Sequence, residues 1–298
     1  MKPVLGFVGL GIMGRPMAIN LLKAGYAVHI NSLLASEVES VAAAGGIAEA
    51  SAFEVAGKAD ISIVMVPNTP QVEAILFGDG GMLPALGPGK IVVDMSTIAA
   101  LPTREFAERV KAAGARLLDA PVSGGDKGAI AGTLSIMVGG EAEAFERCKP
   151  IFEVLGKRIT HVGGNGAGQG VKSCCQVLSA ATMAAIGEAM AMGVKAGVEA
   201  KTLLEVMSAG YCRCGCLEIR GEQIVNRNFE PGFKSKLQYK DLNLALELAR
   251  GLDVPMPIAS LVTEFYKSCM AKGLGEEDHS NVVKVVEEMA GVIIGGKR

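Results

Sequence analysis

The sequence predicts a doubly wound α/β domain followed by an all-α domain, the two joined by a long central helix. Short apolar runs alternate with helical stretches through the first half, which is the spacing of βαβ units around a mainly parallel sheet. The strand signal then stops near residue 163, and helical periodicity alone continues. At 298 residues the chain has the length of two ordinary domains. The expected units are residues 1–163 and 164–298.

Residues 4–9 form a short apolar strand, and a glycine turn leads into a helix over 12–24 with Gly25 at its C-cap. A second strand is expected at 27–30 and a second helix at 34–44, closed by Gly45-Gly46. Further strands follow at 61–66, 91–95, 116–120, 133–138 and 159–162. The glycine-rich tract 163–168 is a flexible entry to a helix over 169–197, about 45 Å long at 1.5 Å per residue. Its few polar positions predict cover on several sides, as between domains or subunits. Helices at 200–208, 217–225, 240–251, 258–272 and 280–290 complete the second unit.

Half of the residues are hydrophobic and a fifth are charged, enough for a packed core and too apolar for disorder. Lys and Arg number 29 against 31 Asp and Glu, a net charge of -2, so no electrostatic grip on nucleic acid or an anionic membrane is expected. Aromatics are scarce and Trp is absent, which disfavours base-stacking platforms. Met1-Lys2-Pro3 leads straight into the first strand without an export signal. The longest apolar tract, 177–198, carries Glu188 and Lys195 and reads as a buried helix rather than a membrane span. Seven cysteines in such a chain imply reduced thiols and a cytoplasmic location.

Gly9-Leu10-Gly11-Ile12-Met13-Gly14 is G-x-G-x-x-G directly after a strand and opening a helix. The first glycine permits the tight turn and the second lets the backbone approach a pyrophosphate. The third allows close helix–strand packing, while the helix N-terminus supplies amide donors. This is the Rossmann-type fingerprint, and it implies a nicotinamide dinucleotide. An acid at the end of the second strand would bind the ribose 2′-hydroxyl and repel a 2′-phosphate. Asn31-Ser32 stands there instead, with no Arg following, so NADP is favoured slightly over NAD. Val66-Pro67-Asn68 and Ser96-Thr97 fall just after strands, at the carboxyl edge where such sheets bind ligands.

The opening segment Gly6-Phe7-Val8-Gly9-Leu10-Gly11-Ile12-Met13-Gly14-Arg15-Pro16-Met17 resembles the signature of the β-hydroxyacid dehydrogenases. Asp119-Ala120-Pro121-Val122-Ser123-Gly124-Gly125 is similar to that family's substrate loop, and Gly168-Gln169-Gly170-Val171-Lys172 to its catalytic-lysine motif. Phe229-Glu230-Pro231-Gly232-Phe233 with Lys240-Asp241-Leu242 resembles its C-terminal cofactor-closing segment. The family includes tartronate semialdehyde reductases, 3-hydroxyisobutyrate dehydrogenases and 2-(hydroxymethyl)glutarate dehydrogenases. The ending Val283-Lys284-Val285-Val286-Glu287-Glu288-Met289 with Gly295-Gly296 looks most like the last.

The resemblance implies that Lys172 is the general acid and, in reverse, the base. Desolvation beside a cofactor would lower its pKa towards working pH. Spacing alone reads it as a solvated lysine on a first helical turn; the motif assigns it. Ser123-Gly124-Gly125 would hold a substrate carboxylate with a hydroxyl and backbone amides, where the residues alone read rather as an ordinary βα turn. Thr97, Phe233 and Lys240 contact the cofactor by the same likeness. Where the family has an Asn that orients substrate, this chain has Cys175, preceded by Cys174. Tyr211-Cys212-Arg213-Cys214-Gly215-Cys216 falls in the loop that, by resemblance, approaches the site. The thiols read as packing or as a redox or metal cluster, although C-x-C-x-C lacks standard zinc spacing. No metal is assigned. Arg213 reads either as a partner for a second substrate carboxylate or, equally, as a surface arginine.

The resulting expectation is an NAD(P)-dependent oxidoreductase interconverting a small β-hydroxy acid and its semialdehyde, assembled as a homodimer or homotetramer. The alternatives are an imine reductase-like enzyme, against which Lys172 argues, and a nucleotide-binding redox sensor built on the cysteines.

Overall fold

The computed structural model describes residues 2–295, so of the positions read above Met1 and Gly296 lie outside the described residues. The chain divides after Lys172 into two compact units. In the first unit the elements run β1 (Leu5–Val8), α1 (Gly14–Lys23), β2 (Val28–Asn31), α2 (Ala35–Ala42), β3 (Ile47–Ala48), α3 (Ala52–Lys58), β4 (Ile61–Val64) and α4 (Thr69–Phe77). They continue with β5 (Ile91–Asp94), α5 (Ala100–Ala112), β6 (Arg116–Asp119), β7 (Val122–Ser123), α6 (Gly125–Ala131), β8 (Leu134–Gly139), α7 (Ala142–Leu155) and β9 (Gly156–Gly163). The helix α8 (Ala167–Lys195) starts in this unit and ends in the next.

The sheet order is β3-β2-β1-β4-β5-β6-β8-β7, with β9 paired to β8. Pairing is parallel from β3 through β6 and between β8 and β9; β8 meets β6 and β7 antiparallel. The strands β1, β4 and β5 are buried throughout and apolar except for Ser62 and Asp94, as expected of strands with both faces covered. Leu5, Phe7, Ile61, Ile63, Ile91 and Val93 enter one core cluster, while their neighbours Val8, Val64 and Val92 enter another. That is the period-2 alternation of a strand, applied to the two faces of one sheet. Val8, Val64, Asp94 and Asp119 stand in register across β1, β4, β5 and β6, so the chain leaves these strands along one carboxyl edge.

The second unit holds the remainder of α8 with α9 (Ala200–Ala209), α10 (Gly215–Val225), α11 (Ser235–Gly251), α12 (Pro257–Ala271) and α13 (Val282–Ala290). Met183, Met190, Leu217, Ile224, Leu242, Tyr266 and Val282 form part of its core. The sequence places the start of α11 at Lys240, but the helix begins at Ser235. The Asp278 carboxylate accepts from the amides of Gly232 and Phe233 at 3.0 and 3.1 Å, and Ser235 N donates to Glu277 O at 2.9 Å, which orders the approach.

By length and composition α8 would cross a membrane, a test that the core helix of a soluble protein passes too. Its Ala180, Met183, Ala184, Ile186, Met190 and Ala191 sit in the helical core. The cover expected on several sides is incomplete within the chain. Of its most apolar window 39% is buried, and Leu178 and Met192 stand exposed.

Candidate active site

The glycine loop leaves β1 at Gly9, whose φ of 95° lies in the region that favours glycine. A Cβ there would meet the Met65 carbonyl oxygen at 2.3 Å, and one on Gly14 would meet Gly9 O at 1.9 Å. These two glycines therefore let α1 lie against the strand ends. Gly11 differs, because a Cβ on it would meet only Glu37 Oε1, at 3.8 Å. The space before it is open, and Ile12 beside it is exposed. Met13 stands at the N-cap of α1 with no side-chain cap. This cradle fits a dinucleotide pyrophosphate, which the backbone of Gly11, Ile12, Met13 and Gly14 would hold. Gly9 N is tied to Asn31 O at 3.0 Å, and the Asn31 amide donates to Glu49 O at 2.9 Å.

The neighbouring strand ends are linked in turn. Val66 N donates to Ser96 Oγ at 3.0 Å, which joins the Val66-Pro67 turn to the segment carrying Thr97. Gln169, buried near the start of α8, accepts from Ile98 N at 3.1 Å and donates to Ser96 O at 2.8 Å, so one amide clamps both sides of Thr97. Asp119 holds the start of α8. Its Oδ1 accepts from Gly166 N at 2.8 Å and its Oδ2 from Gln169 N at 3.0 Å. Burial pushes the Asp119 carboxyl up to about 6, against the pull of these amides, which favour the carboxylate.

Lys172 follows Gln169 by one helical turn and is 6% exposed. Its Nζ donates to Val122 O at 2.9 Å. The lysine is thereby set against the loop Ser123-Gly124-Gly125, in which Ser123 is exposed and both glycines have positive φ, 134° and 62°. The first unit thus brings together the glycine loop, Val66-Pro67, Thr97, the serine–glycine loop and Lys172. Asp119 and Gln169 lie within the sequence motifs, but no local pattern indicates a task for them. Their partners lie 47 to 73 residues away along the chain, beyond the reach of local pattern.

In the second unit Cys175 is exposed on α8. The next residue, Gln176, is buried and donates to Asp241 Oδ2 at 2.6 Å; Asp241 Oδ1 pairs with Lys240 Nζ at 3.0 Å. Gln176 therefore orients Lys240 through Asp241, and its amide group is committed there. Phe233 packs edge-on to His279, with ring centroids 5.7 Å apart. Arg213 is exposed in the turn before α10, and among the described residues no hydrogen bond or ion pair joins its side chain to Cys175 or Lys240. All seven cysteines are free. Cys216 approaches Ser179 at 3.9 Å, and burial raises its pKa. Among the described residues no group of three or more His, Cys, Asp or Glu side chains could hold a metal ion.

The NAD-binding domain of 6-phosphogluconate dehydrogenase matches residues 4–163, and the NAD-binding domain of NADP-dependent 3-hydroxyisobutyrate dehydrogenase matches 166–286. The chain is 46% identical to the 2-hydroxy-3-oxopropionate reductase of Escherichia coli, over 96% of this chain and 98% of that one. It is 42% identical to the 2-(hydroxymethyl)glutarate dehydrogenase of Eubacterium barkeri, over 98% and 97%. The solved structure of Mycobacterium tuberculosis 3-hydroxyisobutyrate dehydrogenase with L-serine superposes with a TM-score of 0.89 at 33% identity, covering 96% of this chain and 99% of that one. An imine reductase from Pseudomonas sp. shares the fold alone, with a TM-score of 0.63 at 19% identity. With a family model on each half and full-length relatives at these identities, the chain belongs to the β-hydroxyacid dehydrogenase family of nicotinamide-dependent oxidoreductases.

Proposed function

We propose that this chain interconverts a small, carboxylate-bearing 3-hydroxy acid and its semialdehyde, with Lys172 as the proton donor to the aldehyde oxygen and the acceptor in reverse. The observation that carries the reading is the buried Lys172 Nζ held 2.9 Å from Val122 O, at the root of the Ser123-Gly124-Gly125 loop. The bound nicotinamide supplies or accepts the hydride. The chain's task is to place and protonate. Ser123 and the amides of Gly124 and Gly125 hold the carboxylate, and Val122 O anchors the ammonium at the root of that loop. Near-exclusion of water from Lys172 strengthens its interaction with the developing alkoxide. Cys175 stands one turn further along α8, where it would face substrate with a weaker donor and acceptor than an amide.

The named relatives act on a 2-hydroxy-3-oxopropionate, a 2-(hydroxymethyl)glutarate and a 3-hydroxyisobutyrate. Their common chemistry is a primary alcohol or aldehyde one carbon removed from the carbon bearing a carboxylate. Arg213 supports a substrate with a second carboxylate. The exposed Leu178 and Met192 on α8 support association of identical chains, as a homodimer or homotetramer, and seven free thiols support a cytoplasmic site of action. The test is a panel of 3-hydroxy acids and semialdehydes assayed with NAD(H) and NADP(H). Turnover confined to imines, or absent on every 3-hydroxy acid, would overturn the reading.

A further inference from the structure

The end of β2 lacks the acid that usually reads the ribose, yet a carboxylate stands at this place from another element. Ser32 Oγ accepts from Leu10 N at 3.2 Å and donates to Glu37 Oε2 at 2.5 Å. Glu37 lies in the first turn of α2 and is half-buried. Because the backbone donor of Leu10 fixes the Ser32 oxygen, the hydroxyl proton is left for the carboxylate. The other oxygen, Oε1, points to the open cradle at Gly11, 3.8 Å from where a Cβ would stand. Among the described residues no hydrogen bond or salt bridge reaches that oxygen, and no Lys or Arg pairs with Glu37.

We infer that Glu37 is the residue that selects the nicotinamide cofactor, taking the ribose 2′-hydroxyl of NAD(H) on its Oε1 and rejecting the 2′-phosphate of NADP(H). The inference rests on the reading of the Gly9–Gly14 loop as the dinucleotide cradle and extends it to the adenosine ribose. A 2′-phosphate carries roughly -1.5 to -2 charges at neutral pH and would meet an uncompensated carboxylate. A 2′-hydroxyl meets an acceptor with a vacant lone pair. The two neutral residues from which the sequence suggests a slight preference for NADP are both engaged: Asn31 donates to Glu49 O, and Ser32 serves Glu37. Ser32 and Glu37 together thus take the place of a single strand-end acid, with the hydroxyl as the link.

The experiment is a fluorescence titration of NADH and NADPH binding to the parent and to Glu37→Gln, Ser32→Ala and Glu39→Gln. The parent is expected to bind NADH at least about tenfold more tightly than NADPH, and Glu37→Gln to reduce that ratio by about tenfold, a change of ~1.4 kcal/mol. Ser32→Ala, which frees the carboxylate from its tether, should reduce the ratio less. Glu39→Gln, an exposed acid on the same helix, should leave it unmoved. A parent that prefers NADPH, or a ratio in Glu37→Gln within twofold of the parent, overturns the assignment, as does an equal shift in Glu39→Gln. Failure of the parent to bind either nucleotide would remove the dinucleotide reading and this inference with it. Binding of both with an unmoved ratio would remove this inference alone.

Discussion

Asp119→Asn separates the two things that Asp119 does, which are to be a buried charge and to accept two backbone amides. In the parent, Oδ1 accepts from Gly166 and Oδ2 from Gln169 at the start of α8. Asparagine keeps one oxygen and turns an NH2 towards the other amide, so one buried N–H loses its acceptor at a cost of about 1–3 kcal/mol. The charge acts in the opposite direction. Burial raises the carboxyl from its ordinary 3.8 to about 6. A carboxyl raised on folding binds its proton more tightly in the folded chain. Its contribution to stability is therefore full below about pH 4 and is lost as pH rises through about 6. The shift from 3.8 to about 6 corresponds to about 3 kcal/mol in all, of which about 1 kcal/mol falls between pH 5 and 7.

The expected result follows. The stability advantage of the parent over Asp119→Asn should be larger at pH 5 than at pH 7, by about 1 kcal/mol. Urea unfolding followed by circular dichroism measures it, since the chain has no Trp to report by fluorescence. An advantage that is constant or grows with pH would refute the reasoning. It would mean that the two amides hold the carboxyl at or below its ordinary value, and that burial is not the dominant influence.

Lys172→Ala should leave NADH binding near that of the parent and lower kcat by at least ~10², the lower end for a general acid; a kcat within threefold of the parent would remove Lys172 from the chemistry. Cys175→Asn should raise kcat/KM for small 3-hydroxy acids several-fold, since a recovered hydrogen bond is worth about 1 kcal/mol. A fall in that constant would show that the thiol position is not the substrate-orienting one. Gly14→Ala places a Cβ 1.9 Å from Gly9 O and should destabilise the fold by about 1–3 kcal/mol while weakening both nucleotides, as thermal melts and titration would report.

The strands were legible where burial on both faces leaves a mostly apolar run, as in Leu5–Val8, in Ile61–Val64 with its one serine and in Ile91–Asp94 with its terminal acid. The two-residue strands Ile47–Ala48 and Val122–Ser123 were not, because two residues are too few to show a period. The early start of α11 is invisible locally, since it depends on Asp278 and Glu277 reaching back across more than 40 residues. In the site, the glycine loop could be read from physical chemistry alone. The assignment of Lys172 and Ser123 rests on likeness to a family alone, because a lysine near a helix start and a serine in a glycine turn are ordinary features. Glu37 was missed for a geometric reason. A ribose acid is expected at the end of β2, whereas the carboxylate inferred here comes from α2, through the hydroxyl of Ser32.

One helical turn carries much of the geometry in the first unit. Gln169 and Lys172 are three residues apart and so share a face of α8. Gln169 grips Ser96 O and Ile98 N on either side of Thr97, and Lys172 grips Val122 O just before Ser123. The spacing between the segment carrying Thr97 and the loop carrying Ser123 is therefore set by the rise of a single turn, about 5 Å along the axis. Of the groups in this arrangement, Ser96 O, Ile98 N, Val122 O, Gly166 N and Gln169 N belong to the backbone, and side-chain substitution does not delete them. The adjustable members are Asp119, Gln169 and Lys172. On the proposed mechanism Lys172 transfers the proton, and the precision of its placement then depends on the other two. A misplacement of about 1 Å can lower a rate about 10²-fold, so on that proposal two buried side chains remote from the reacting atoms would set part of the rate.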